Sequence, residues 1–275
     1  MIIATFVSFF LTVSIYKAHK NTQDIKVNHI QLPPKTTSDC TESLSILHLS
    51  DLHMENISLT PEQLAANLAN KQVDVIALTG DFLDRKRSIP KLIPYLQVLN
   101  RIRPTYGIYA VLGNHDYVLK AHDLKRLKNI LSHYNCHVLQ NDSDVISAKG
   151  KTINIIGIDD YSTNRSNISQ AYEQIEDGIN IVLTHDPTVV LEMEDYPFDY
   201  LMAGHFHGGQ ICYPKAFHLV KMGKLARKNI IKGMHKFKDR PFYISEGLGQ
   251  TGLNIRIGSR PEITIHDLPI PSEVI

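Results

Sequence analysis

No tryptophan occurs in this chain, and cysteine is scarce. Cys40, Cys136 and Cys212 are far apart, form no C-x-x-C and are odd in number, so neither a disulfide framework nor a structural zinc site is suggested. An excess of charge is also missing. The 29 basic and 28 acidic residues leave a formal +1, which removes bulk charge as a reason to expect nucleic-acid binding. No repeat of fixed period and no low-complexity segment is present. What the chain does have is 43% hydrophobic content over 275 residues, enough for one large core and no requirement for a second domain. It also has 14 histidines, a frequency that raises the question of metal binding.

Met1 to Tyr16 carries no charged side chain, and Lys17, His19 and Lys20 follow at once. The stretch reads as an uncleaved membrane anchor, although it is short against the roughly 20 apolar residues of a spanning helix. A cleaved signal is the alternative. It would normally show a basic start and a small-residue cleavage site, and neither is found. Lys17 and Lys20 on the C-terminal flank place the body of the protein on the cytoplasmic side by the positive-inside rule. The expected organisation is an anchor over 1–20, an edge strand and linker over 21–42, and one catalytic domain over 43–275.

Apolar runs and helical stretches alternate from there. Strands are expected at Leu44 to Leu49, Val73 to Leu78, Ile108 to Leu112, Thr152 to Ile158, Ile179 to Leu183 and Tyr200 to Ala203. Helices are expected at Pro61 to Lys71, Ile89 to Asn100, Ala121 to His133 and Ile168 to Ile175, with a short one after Pro187. This repetition is that of an α/β protein with a largely parallel sheet. Later strands at Pro241 to Ser245, Asn254 to Ile257 and Glu262 to His266 point to a second, more antiparallel sheet.

Ligands in open α/β sheets gather beyond the carboxyl ends of strands. Five strand ends here deliver the same kind of residue: Ser50-Asp51-Leu52-His53, Gly80-Asp81-Phe82-Leu83-Asp84, Gly113-Asn114-His115-Asp116, Thr184-His185-Asp186 and Gly204-His205-Phe206-His207-Gly208. Each alone reads as a turn or a cap, but five together read as one site. Histidine, carboxylate and carboxamide without thiolate suit manganese, iron or zinc. They outnumber the ligands of one tetrahedral ion and fit two ions arranged for displacement at phosphorus. D-x-H and H-x-H suit such a site if the backbone is extended, because alternate residues then point the same way.

These elements, in this order, resemble the calcineurin-like metallophosphoesterase superfamily, with its D-x-H, G-D-x-x-D, G-N-H-D/E, H and G-H-x-H pattern. The resemblance implies a four-layer α/β/β/α sandwich with two mixed sheets and a binuclear centre at the strand C-terminal edge. It implies Asp51, His53 and His207 on one metal, Asn114, His185 and His205 on the other, and Asp81 bridging two divalent ions, manganese being favoured over iron or zinc. A metal-bridging hydroxide would attack a phosphodiester or pyrophosphate in line, with His115 as a non-ligand catalytic histidine oriented by Asp84. Asp116 is expected to support the site. His48, His122-Asp123 and His266-Asp267 are expected to be structural, and Asp186 to cap a helix.

Gly208 to Gln210 and Glu246 to Gly249 followed by Arg256 are similar to the membrane-anchored bacterial branch of that superfamily, which includes enzymes splitting UDP-2,3-diacylglucosamine. The stretch between Gln210 and Pro241 is basic and apolar by turns. It suits an anionic lipid headgroup or a membrane surface, or equally a solvated lid. A lipid-linked phosphodiester or pyrophosphate is one expected substrate, beside those of the phosphodiesterases of unassigned substrate in the same branch, and nucleic acid is not expected. Two other functions stay open: a broad phosphomonoesterase or nucleotidase, and a non-catalytic scaffold of the same fold.

Overall fold

The central strands of this chain read as nearly continuous apolar runs because both faces of each sheet are covered there. The computed structural model describes residues 2–34 and 42–270. Its strands are β1 (Lys26–Gln31), β2 (Glu42–Leu49), β3 (Val75–Thr79), β4 (Ile108–Val111), β5 (Cys136–Val138), β6 (Asp142–Ala148), β7 (Lys151–Ile158), β8 (Ile179–Thr184), β9 (Tyr200–Ala203), β10 (Gly233–Phe237), β11 (Arg240–Ile244) and β12 (Glu262–Ile270). Its α-helices are α1 (Ile2–Lys20), α2 (Pro61–Leu68), α3 (Ile89–Ile102), α4 (Ala121–His133), α5 (Ile168–Ala171) and α6 (Lys224–Arg227).

Two six-stranded sheets result, ordered β1-β12-β2-β3-β4-β5 and β10-β11-β9-β8-β7-β6. Both are mixed. β2 to β5 run parallel, as do β7, β8, β9 and β11, while β12 against β2, β6 against β7 and β10 against β11 are antiparallel. Period-two alternation divides the core. Leu44 and Ile46 meet Ile153, Ile181 and Met202 between the sheets. Leu47 and Leu49 face outward onto Leu64, Leu92 and Leu127 of the first helical layer. On the far side, Val182 and Leu201 pack on Val189, Val190 and Leu225. The order of layers is helix, sheet, sheet, helix.

Three expectations are corrected. Glu262 to His266 does not extend the second sheet, since β12 lies in the first between β1 and β2. Asn254 to Ile257 forms no strand, and only Ile257 makes an isolated bridge, to Ile211. The helix begun at Ile168 ends at Ala171. The stretch after Pro187 is a 3-10 helix, Pro187–Glu192, capped as expected by Asp186, whose carboxylate accepts from Thr188 N.

The expected anchor is α1. Its residues from Phe9 to Tyr16 stand exposed and its C-terminal end is docked, with Ala18 buried. Among the described residues no helix is long and apolar enough to cross a membrane.

Candidate metal centre

The parallel strands of both sheets end at one edge of the molecule, so five connections are delivered to one place. Close backbone approach helps them converge. A Cβ on Gly113 would lie 2.2 Å from Asp81 Oδ1 and 2.6 Å from Asp81 N, so only glycine lets the β3 and β4 exits touch.

The side chains of D-x-H and H-x-H do not meet by extended alternation, as their spacing suggested. Asp51, His53, Asp81, His205 and His207 all hold positive φ, at 51°, 41°, 53°, 77° and 50°. Left-handed backbone costs an L-residue about 1–2 kcal/mol. Concentrating five such residues at one edge is the kind of strain that marks functional sites.

Two clusters made wholly of the expected ligands form there, beside a third group of His53, Asp84 and His115. Asp51, His53 and His207 offer ligand atoms to one point, and Asp81, His185 and His205 to another, with the atoms of each set within 4.8 Å of one another. His207 Nε2 lies 3.3 Å from Asp51 Oδ1 and 3.2 Å from His53 Nε2. In the second cluster His205 Nδ1 lies 3.2 Å from His185 Nε2. Asp81 Oδ2 stands between them, 3.1 Å from His185 Nε2 and 3.5 Å from His53 Nε2. Its Oδ1 is engaged elsewhere, accepting from His115 N at 2.8 Å.

The donors fit divalent cations. Ring nitrogens 3.2 Å apart match two ligands each about 2.1 Å from a shared ion. His185 Nδ1 donates to the Thr79 carbonyl at 2.7 Å. A carbonyl only accepts, so Nδ1 carries a proton and Nε2 is the ring atom turned toward Asp81, the one that would give up its proton to take a cation. Asn114 Oδ1 is buried with no hydrogen-bond partner beside Asp81, His205 and His207 in the cavity wall, an orphan a cation would satisfy.

Electrostatics agree with this fit. Burial opposes the charges on Asp51 and Asp81, yet the histidines around them, led by His207 and His185 respectively, hold both carboxyls below their ordinary range. Burial pushes the His207 ring down to about 3 and lowers His205 as well. Burial also works against charge on His185, but Asp81 beside it raises its pKa well above the usual value.

His115 stands outside both clusters. Its Nδ1 lies 3.7 Å from Asp84 Oδ2, while Asp84 Oδ1 lies 3.6 Å from His53 Nδ1. The rings of His115 and then His53 beside it keep the Asp84 carboxyl well below the carboxylate range. Burial alone would lower His115, but Asp84 and Asp81 outweigh it and raise the ring to about 8. Asp116 supports the turn, its Oδ1 accepting from Phe82 N and Leu83 N and its Oδ2 from Gly113 N. Sequence reasoning missed Glu55, which accepts from Asp84 N and Arg85 N, and Ser50, whose hydroxyl donates to Asp51 Oδ2 at 2.6 Å. Neither carries a motif signal of its own.

The remaining singled-out histidines lie elsewhere. His48 Nε2 is bonded to Thr79 Oγ1 between the sheets and burial lowers its pKa to about 3. His266 pairs with the Tyr200 hydroxyl, and exposed His122 sits 3.1 Å from Asp123.

The clusters open into a cavity of about 200 Å³ lined by Asp81, Asn114, His115, Phe206 and Gln210 together with His218, Leu219, Met222 and Thr251. A larger cavity of about 380 Å³, at Leu32, Met234 and Leu268 near the opposite edge, gathers none of the motif residues.

Comparison with known proteins gives a consistent picture. The calcineurin-like phosphoesterase profile matches residues 44–209. A Bacillus subtilis (strain 168) protein named as the metallophosphoesterase YkoQ is 59% identical over 254 residues, 92% of this chain and 94% of that protein. The phosphodiesterase YaeI of Escherichia coli (strain K12) is 27% identical, with 84% of each chain covered. The UDP-2,3-diacylglucosamine pyrophosphatase LpxG of Chlamydia trachomatis serovar D is 26% identical over 81% of this chain and 82% of that one.

Proposed function

This chain belongs to the calcineurin-like phosphoesterase family and is a phosphoester hydrolase, and from that premise we propose that it cleaves a phosphodiester or pyrophosphate at a pair of divalent cations. The placement of Asp81 Oδ2 between the two His/Asp clusters carries the reading. Asp51, His53 and His207 would hold one cation, Asn114, His185 and His205 the other, and Asp81 both. The donors are oxygen and imidazole without thiolate, a set suited to manganese. Bound there, the cations supply an activated water and neutralise charge on the phosphoryl oxygens.

The chain's own contribution beyond ligation falls to His115 and Asp84. His115 reaches the cavity that the substrate phosphate would enter, where a protonated ring can hydrogen-bond a phosphoryl oxygen or pass its proton to the departing oxygen. Asp84 orients that ring and favours its charged form. His115→Gln should therefore lower kcat by about 10²- to 10⁴-fold while manganese content measured on the purified protein stays near wild type. Loss of metal in step with activity would remove His115 from this role. Because the ring must be protonated to act, kcat should fall as pH rises through about 8, or through a lower value once two cations stand nearby. The glutamine variant should lack that limb.

The substrate is read as lipid-linked, in line with the substrate named for LpxG, and the exposed apolar residues of α1 are read as holding the chain at a membrane on its cytoplasmic side. The test is a panel with manganese: an aryl phosphodiester, UDP-2,3-diacylglucosamine and nucleoside monophosphates. Preference for the monoesters would favour a phosphomonoesterase, and a metal-free, inert protein would favour a scaffold.

A further inference from the structure

Exposed large apolar side chains are unevenly placed on this molecule. Among the described residues, every one except Met234 lies either on α1 or within a few residues of the wall of the metal-centre cavity. The second group is Val118, Ile211, Tyr213, Phe217, Val220 and Leu253, of which Tyr213 is 82%, Leu253 68% and Phe217 65% exposed. Phe217 and Val220 are spaced i, i+3 in the 3-10 helix Phe217–Met222. At three residues per turn they share a face, while Leu219 on the other side is buried in the core.

Hydrogen bonds join these pieces to one another and to α1. The Gln210 side chain donates to the carbonyls of Thr251 and Leu253, and Cys212 N donates to Ile257 O. At the end of α1, Ala18 O accepts from Arg256 N, Asn21 Nδ2 donates to Arg256 O, and the His19 ring bonds Asn254 O. The free apolar helix is thereby fixed in direction relative to the cavity mouth.

Charge completes the surface. No aspartate or glutamate occurs between Asp199 and Asp239. Lys215, Lys221, Lys224 and Arg227 are exposed there, as are Lys17 and Lys20 at the end of α1. Apolar side chains flanked by lysine and arginine on a near-neutral protein match an anionic bilayer, with its apolar interior and negative surface.

We infer that the rim of the metal-centre cavity is itself a docking surface for an anionic lipid bilayer, with Phe217, Val220 and Leu253 entering the lipid beside α1. The inference rests on the proposed reading of this cavity as the hydrolytic site, and it deepens that reading: substrate would reach the cations from the plane of the membrane.

The absence of tryptophan from the chain makes a clean test possible. Phe217→Trp, Leu253→Trp and, as a control in the wall of the larger cavity, Met234→Trp each place a single indole in the full-length protein. Emission is followed on adding phosphatidylcholine vesicles with and without phosphatidylglycerol, and quenching by brominated lipid reports insertion. Indoles at 217 and 253 should shift to shorter wavelength and be quenched on anionic vesicles, with the effect weakened by salt, while the indole at 234 does not change. The double variant Phe217→Asp/Leu253→Asp should lose about tenfold or more in partitioning onto anionic vesicles and still hydrolyse a soluble aryl phosphodiester at the wild-type rate. That soluble assay tests the hydrolase reading separately. Vesicle binding with unshifted indoles at 217 and 253 would mean that α1 alone holds the membrane and would overturn the inference. A shift without lipid that grows with protein concentration would assign the surface to a second copy and overturn it equally.

Discussion

Asp81→Asn is expected to reduce hydrolysis by about 10³-fold or more, the loss that corresponds to several kcal/mol of charge stabilisation by the cations. Asp81 Oδ2 is placed against imidazoles of both clusters, 3.1 Å from His185 and 3.5 Å from His53. An amide of the same shape keeps the acceptor for His115 N and removes the charge the two ions would share. The substitution should leave the backbone intact, since Asp81 sits at φ 53°, a conformation that asparagine also adopts readily. Burial opposes the charge, but the neighbouring histidines outweigh it and favour the charged carboxyl in the fold, so thermal unfolding without added metal at neutral pH should come at a somewhat lower temperature. Manganese titration by calorimetry should show weakened binding at both sites. A variant that binds two ions as tightly as wild type would remove Asp81 from the bridging position.

The reach of the sequence toward this centre had a physical basis. Strands such as Val75–Thr79 and Tyr200–Ala203 are fully buried, so they appear as unbroken apolar runs, and the polar residues after them stand out by contrast. Their conformation was not legible in the same way. The left-handed backbone at Asp51 and His207 opposes the intrinsic preference of those residues, and tertiary contacts impose it. The place of β12 was hidden for a related reason. Pairing of Thr264 with His48 and of Asn28 with Thr264 is set by contacts more than 200 positions apart, and the alternation of one strand does not name its neighbours. Asn254 to Ile257 misled because Asn-Ile-Arg-Ile alternates like a strand, whereas Arg256 there is fully buried and bonded to backbone.

Arg256 should prove as necessary to the centre as a ligand, although it touches neither cluster. Its Nη1 donates to Glu246 O at 2.8 Å, and its Nη2 to Gly247 O at 3.0 Å and Gly249 O at 2.8 Å. The segment so held is laid on the β2 exit: Leu248 N donates to Ser50 O and Gly249 N to Asp51 O at 2.7 Å. The fit is close enough that a Cβ on Gly249 would lie 2.8 Å from His53 Cβ. Asp51 and His53 thus keep their strained backbone because Arg256 keeps the segment above them in place. Lysine retains the charge but offers a point donor in place of a fork and cannot serve three carbonyls at once. Arg256→Lys should lower stability by about 2–4 kcal/mol through the carbonyls left unpaired. It should also weaken manganese binding by about 10- to 100-fold, as loss of an orienting partner does. Asn21→Ala, which removes only the donor to Arg256 O, should move both quantities in the same direction by much less. Thermal unfolding and metal titration on the same preparations separate the two effects. A variant that is less stable yet binds manganese like wild type would show that Arg256 serves the fold and not the centre.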